Sequence, residues 1–175
     1  MKDSHLKIVP YDDEYPRIFS EIKEFIHSII PFEIRIEHIG STAVPGLGGR
    51  RIIDILIITE REYMQKVVEL LEARGFKYNP QASTLPEKLF ISGPYRYKGE
   101  KLHVHIHVTF QGSREHEEKL LFRDYLRRNP TEAKRYYEFK KLWMEKAGSN
   151  LSKYREYKAA YIKVILEKAK EEIPQ

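Results

Sequence analysis

The stretch Glu33-Ile34-Arg35-Ile36-Glu37-His38-Ile39-Gly40-Ser41, followed after a glycine-rich loop by Ile52-Ile53-Asp54-Ile55-Leu56-Ile57-Ile58, decides the fold. In the first half Ile34 and Ile36 lie on one side and Glu33, Arg35 and Glu37 on the other, the period of a half-buried strand. The second half is apolar on both sides except at Asp54, the pattern of a central strand covered on both faces. Residues 40–49 between them hold four of the nine glycines and Pro45, which marks a loop. A lone carboxylate on an apolar strand is costly to bury unpaired, so Asp54 needs a cation, a hydrogen-bond donor or a metal. Pairing with Arg50 or Arg51, at the head of the same strand, is the purely structural answer.

Working outward, Leu6 to Val9 reads as a short extended piece. Asp12 and Asp13 offer N-cap chemistry with Pro16 in the first turn. Phe19, Ile22, Ile26 and Ile29 then recur at helical spacing up to Pro31. Downstream, Met64, Val67, Val68 and Leu71 predict a second helix, ended by Gly75. Phe76–Tyr78 and Lys88–Ser92 are weaker strands. Leu102–Thr109 alternates strictly, with His103, His105 and His107 on one face and Leu102, Val104, Ile106 and Val108 on the other. From Ser113 onward the pattern is helical. One helix runs to about Arg128, Asn129-Pro130-Thr131-Glu132 caps the next, and Gly148-Ser149-Asn150 ends it. A last helix carries Tyr154, Tyr157, Tyr161 and Val164 at 3-4-3 spacing, a stripe suited to packing rather than base stacking. The order β-α-β-β-α-β-β-β-α-α-α predicts a mixed α/β sheet with helices packed on it. With no linker or repeat, residues 1–175 read as a single domain, with a sheet-bearing core to about 112 and a helical part from about 113.

Composition narrows the function classes. The 175 residues are 41% hydrophobic and 33% charged, and no run reaches the roughly 20 apolar residues that span a bilayer. The N-terminus lacks an apolar signal region, so no membrane partner is expected. Without cysteine there is no disulfide framework and no thiolate metal site, and a cytoplasmic location is expected. Glu outnumbers Asp 21 to 5 and Asn plus Gln total seven, a thermophile-like trend. The net charge of +5 is uneven: residues 123–168 hold 13 Lys or Arg and 6 Asp or Glu. Such a basic third attracts anionic ligands, a nucleotide first and RNA last, or simply solvates helix faces.

The chemistry starts at the Gly40-Ser41 turn. Successive N–H groups at such a turn cradle phosphate oxygens, the serine hydroxyl adds a donor, and glycine allows close approach. His38, just before it, is a candidate general acid or base, or a helper that orients the loop. The histidine row offers imidazoles to a metal, with Asp54 or Glu37 adding oxygen; such a site suits Zn, Mn, Ni or Fe better than Mg. An exposed polar strand face is the plainer account of the same residues.

The segment Ile36-Glu37-His38-Ile39-Gly40-Ser41-Thr42-Ala43-Val44-Pro45-Gly46-Leu47 with Ile52-Ile53-Asp54-Ile55-Leu56 resembles the signature of the GrpB family, within the nucleotidyltransferase superfamily. The resemblance continues through His105-Ile106-His107-Val108, Gly112-Ser113, Phe122-Arg123-Asp124-Tyr125-Leu126-Arg127, Tyr154, Lys158 and Tyr161-Ile162. It implies a nucleotidyltransferase-like fold with C-terminal helices packed alongside. It also implies that Gly40, Ser41 and Thr42 hold phosphate, with Arg50 and Lys158 as further phosphate contacts. Asp54 would hold a divalent metal, Mg or Mn for nucleotidyl transfer, and His105 and His107 would complete the site. His103 falls outside the match, and Val104 stands where the family usually has another histidine. The superfamily places two carboxylates as Asp-x-Asp on one strand face, whereas here Leu56 takes the second position. The implied function is binding of a nucleotide or other phosphorylated ligand, with metal-dependent nucleotidyl transfer as one use of it. Two alternatives are a non-catalytic accessory module, as in family members fused to dephospho-CoA kinase, and a His/Asp metal enzyme of another class.

Overall fold

The computed structural model, which describes residues 7–148 and 150–172, builds the apolar run into the second strand of a five-stranded sheet. The strands are β1 (Arg35–Ile39), β2 (Ile52–Thr59), β3 (Lys77–Tyr78), β4 (Leu89–Tyr97) and β5 (Glu100–Phe110). Their spatial order is β1-β2-β5-β4-β3. β2 and β5 run parallel, and the other neighbours pair antiparallel. The sheet is therefore mixed, with helices α1 (Tyr15–Ile29), α2 (Met64–Glu72), α3 (Arg114–Arg128), α4 (Pro130–Ala147) and α5 (Leu151–Glu171) around it.

The pleat sorts the strand residues into two faces. Ile53, Ile55 and Ile57 of β2 join Val104, Ile106 and Val108 of β5 in one core with Ile18, Ile22 and Ile26 of α1 and Val67 and Leu71 of α2. Those three α1 isoleucines are wholly buried. Each contributes about 1.5–3 kcal/mol relative to exposure, which fixes α1 on this face. The opposite face is packed more sparsely: Ile39, Leu56 and Ile58 make a small cluster under Leu120 of α3. A third cluster, including Val44, Leu47, Tyr125, Tyr136 and Ile165, ties α3, α4 and α5 to the loop after β1. This second face leaves room for Asp54, His105 and His107. The register sets Asp54 beside His105 and Leu56 beside His107 across the parallel pair.

Several elements depart from the sequence reading. β4 continues past Ser92 through Pro94 to Tyr97, because β3 pairs it only as far as Ser92 and demands no N–H of Pro94 on that side. The side-chain amide of Asn129 does not cap α4; it donates to Tyr125 O (2.8 Å) and closes the end of α3 instead. Val164 is 48% exposed, so the buried stripe of α5 runs through Tyr154, Ile165 and Ala169. Asp12 stands before the helix start, where its Oδ1 accepts the Glu14 N–H (2.9 Å). Of the first extended piece, Val9 makes one bridge to Gly49 and Leu6 lies outside the described residues, as does Ser149 of the later break. Among the described residues no helix is long and apolar enough to cross a membrane.

Candidate functional site

The loop after β1 begins at Gly40, whose φ of 76° and ψ of −171° belong to a region used almost only by glycine. One 3-10 turn, Ser41–Ala43, follows. The backbone reaches Asp54 so closely that a Cβ on Gly40 would lie 2.6 Å from Asp54 Oδ2. Turn and carboxylate are thus two sides of one construction. They open on a cleft of about 260 Å³ whose floor is Asp54, His105 and His107 and whose far wall includes Glu115 and Lys119 of α3 and Lys158 of α5. Gly40, Ser41 and Arg50 also line it.

On the floor, Asp54 Oδ1 lies 3.6 Å from His105 Nδ1 and 3.6 Å from His107 Nε2. Phe90 of β4 meets both imidazoles edge-on, at ring separations of 5.0 and 5.2 Å, and limits their tilt. Burial lowers the His105 pKa to about 4, against the pull of Asp54, and burial likewise lowers that of His107. Burial pushes the Asp54 carboxyl upward, but the His107 and His105 imidazoles and the Lys158 ammonium together hold it below the usual carboxylate range. At neutral pH the floor is a carboxylate beside two neutral rings.

Cations gather around the cleft. Arg50 sits over the Tyr154 ring, 5.7 Å from its centre. Burial, reinforced by Arg50 and Lys119, lowers the Lys158 pKa to about 8 although Asp54 opposes this. Lys140 is buried behind the loop. Its Nζ reaches Gly48 O at 3.4 Å and stands 4.4 Å from the centre of the Tyr136 ring. Burial and then Lys158 hold its pKa well below the ordinary lysine value. A Cβ on Gly49 would collide with Ser41 Oγ and lie 3.3 Å from Lys140 Nζ, so hydroxyl and ammonium border the same small space.

Of the residues singled out from sequence, Asp54, His105, His107, Gly40, Ser41, Arg50 and Lys158 line this one cleft. His38 and Thr42 do not join them. His38 pairs in register with Ile55 and so points to the α1 face, where it stacks on Phe19 at 4.6 Å. Its Nε2 shares a hydrogen bond of 2.8 Å with Thr42 Oγ1. Burial lowers its pKa to about 4, and it braces the turn from behind rather than facing the cleft. Arg51 points away, to Asp12 (2.7 Å) and Glu100 (2.9 Å), so it is no counter-ion of Asp54. His103 stands next in the row, its ring 5.1 Å from that of His105. Leu56 is fully buried under α3, which closes the position of a second strand carboxylate.

Two residues of the cleft region escaped the sequence reading in these roles. Glu115 follows the cap residue Ser113 in the first turn of α3, a place that reads as ordinary helix-dipole chemistry. Lys140 sits four residues after Tyr136 on the buried side of α4, and a lysine on an apolar stripe was the available signal. Lys141, by contrast, pairs with Glu138 at the surface (3.1 Å). Asp, His and His are a donor set that suits a divalent cation. Two of the donor separations, at 3.6 Å, approach the roughly 3.4 Å between ligand atoms around a tetrahedral ion with bonds near 2.1 Å. Among the described residues no group of three or more His, Cys, Asp or Glu is placed to hold a metal ion.

A family model described as GrpB protein matches residues 5–168. The UPF0157 protein YqkA of Bacillus subtilis is 32% identical over 167 residues, covering 94% of this chain and 47% of its own length. The UPF0157 protein PA4798 of Pseudomonas aeruginosa is 34% identical over 142 residues, 79% of this chain and 57% of its own. The chain thus spans about half the length of these curated relatives. The crystal structure of conserved protein GrpB from Enterococcus faecalis shares the fold, with a TM-score of 0.79 at 28% identity over 93% of this chain and 96% of that one. The Cid1 poly(U) polymerase gives a TM-score of only 0.45 at 13% identity over 67% of this chain and 38% of its own, too slight a likeness to argue from.

Proposed function

The chain belongs to the GrpB family, and we propose that its Asp54 cleft binds a nucleotide or another phosphorylated small molecule, with phosphate against the Gly40-Ser41 turn. The observation that carries this reading is that Arg50 and Lys158 line one cleft with the Gly40-Ser41 turn, with Lys140 buried behind the loop. Lys158 and Lys140 both have lowered pKa values, because burial and neighbouring positive charge disfavour another cation there. An incoming phosphate relieves that cost by supplying the missing anion. Asp54, packed directly against the Gly40 backbone, would give a divalent cation a place to bridge carboxylate and phosphate, with His105 and His107 as its further ligands. Bound there, such a cation would polarise a phosphoryl oxygen and neutralise its charge.

Leu56 weighs against the two-metal form of nucleotidyl transfer, since that arrangement needs a second carboxylate on β2. It favours a second reading, a non-catalytic binding module built on the same nucleotidyltransferase-like motif. Part of the basic charge on the helices is paired within the fold, for example Arg135 and Lys168 with Glu132. Thermal unfolding with ATP, GTP, CTP, UTP or pyrophosphate, each with and without Mn²⁺, tests the proposal. Ligand at a hundred times its Kd stabilises by about 2.7 kcal/mol, a readily measured shift. A shift needing Mn²⁺ supports the bridged site, and one indifferent to Mn²⁺ supports the binding module. No shift with any of them sinks both.

A further inference from the structure

We propose that Glu115 is a positioning residue for this cleft: it holds the proton of His107 on Nδ1, so that Nε2 turns a lone pair toward Asp54 and the floor accepts a divalent cation of the imidazole-binding kind. The cation half of this inference rests on the reading of the cleft given above; the proton half does not.

His107 stands between two carboxylates. Its Nε2 is 3.6 Å from Asp54 Oδ1 and its Nδ1 is 3.7 Å from Glu115 Oε1. A neutral imidazole carries one N–H and serves only one of them. The two sides are not equivalent. His107 Nδ1 and Glu115 Oε1 are both sealed from solvent, and neither has a hydrogen-bond partner. A lone pair on that side would leave two buried acceptors facing each other with nothing to satisfy either. The Asp54 side opens into the cleft, where a bound ion or ligand can fill the gap. The proton therefore belongs on Nδ1, and closing 3.7 Å to a hydrogen bond of about 2.9 Å takes less than about 1 Å of side-chain movement.

The chain ties Glu115 to His107 over a short, braced path. Two residues after His107, Thr109 Oγ1 donates to Glu87 O (2.6 Å) and also meets Ser113 Oγ. Ser113 caps α3 by accepting the His116 N–H (3.0 Å), and the Gly112 N–H donates to His116 Nδ1 (3.1 Å). These bonds fix the first turn of α3 over the end of β5, which brings Glu115 to the back of the His107 ring. Lys119, with Nζ 3.8 Å from Glu115 Oε1, supplies counter-charge on the outer side.

With Nδ1 protonated, Asp54 Oδ1 and His107 Nε2 both present lone pairs to the cleft, beside His105 Nδ1. A ligand histidine whose other nitrogen donates to a carboxylate is the usual way a protein orients imidazole toward a metal. Two imidazoles and a carboxylate favour Zn, Mn, Fe or Ni over Mg, which prefers oxygen and retained water.

The test is ¹⁵N NMR of the histidine side chains in metal-free protein, wild type, Glu115→Ala and Glu115→Gln, followed by calorimetric titration of each with Zn²⁺ and Mn²⁺. The expected result is an Nδ1–H His107 in wild type, kept in Glu115→Gln because the amide oxygen accepts the same proton. Glu115→Ala should release the proton to Nε2, where it donates to Asp54, and weaken cation binding by roughly 10–100-fold. An Nε2–H wild type, or an unchanged tautomer in Glu115→Ala, overturns the assignment of Glu115. A wild type with Nδ1–H that takes up neither cation overturns the cation half alone and leaves phosphate binding to be judged on its own titration.

Discussion

Replacing Gly40 by Ala asks whether the turn and the carboxylate are built against each other. The backbone at Gly40, with φ 76° and ψ −171°, costs a residue with a Cβ about 1–3 kcal/mol. The added Cβ would also stand 2.6 Å from Asp54 Oδ2 and 2.9 Å from Asp54 Cβ. Ordinary contact is about 3.5–4.0 Å, so Asp54 must retreat by about 1 Å, at an overpacking cost of about 1–3 kcal/mol. The total loss is about 2–6 kcal/mol. Urea unfolding of Gly40→Ala, Asp54→Gly and the double variant separates the two parts. In the Asp54→Gly background only the backbone part remains, so the cost of Gly40→Ala should fall by about 1–3 kcal/mol. Equal costs in both backgrounds, or a total below about 1 kcal/mol, would refute the contact.

The His38 pKa of about 4, against 6.5 for the free side chain, makes the unfolded chain bind more protons between those values. Stability is therefore full above pH 6.5 and is lost as pH falls toward 4, by about 3 kcal/mol from this residue; His38→Gln should flatten that limb in pH-resolved unfolding while leaving phosphate affinity alone. Lys158→Ala should weaken anion binding about tenfold or more and flatten its salt dependence, and Lys141→Ala should change neither, as read by titration at two ionic strengths. Leu56→Ala should cost about 2–5 kcal/mol in urea unfolding, and Leu56→Asp more, because the site is fully buried beneath Leu120. A well-tolerated Leu56→Asp would reopen the two-carboxylate arrangement.

How far the sequence could be read depended on whether the signal was local. β2 and β5 were legible because an apolar run and a strict alternation are periods of the strand itself, and the shared face of His105 and His107 follows from the pleat. That Asp54 faces them required the register between two strands about fifty residues apart in sequence, which only the fold supplies. His38 was misplaced although its signal was local, since Ile34 and Ile36 already mark the face it shares. It precedes the Gly40 turn, but strand alternation sends it to the α1 face and Ile39 to the other. Glu115 and Lys140 carry no periodic mark of function. Each is a charged residue on a helix whose meaning comes from what the helix covers. The Asn129 cap failed because an amide between two helices has two ends to serve, and here it serves the earlier one.

The central claim is that Asp54 and the Gly40-Ser41 turn make one phosphate site completed by a divalent cation. Isothermal titration of ATP into wild type and Asp54→Asn, each with and without Mn²⁺, tests it most directly. Mn²⁺ should tighten ATP binding to wild type, and Asp54→Asn, still folded, should lose that gain, a factor of about ten or more. Equal ATP affinity in the two proteins in the presence of Mn²⁺, or no binding to folded wild type, would contradict it.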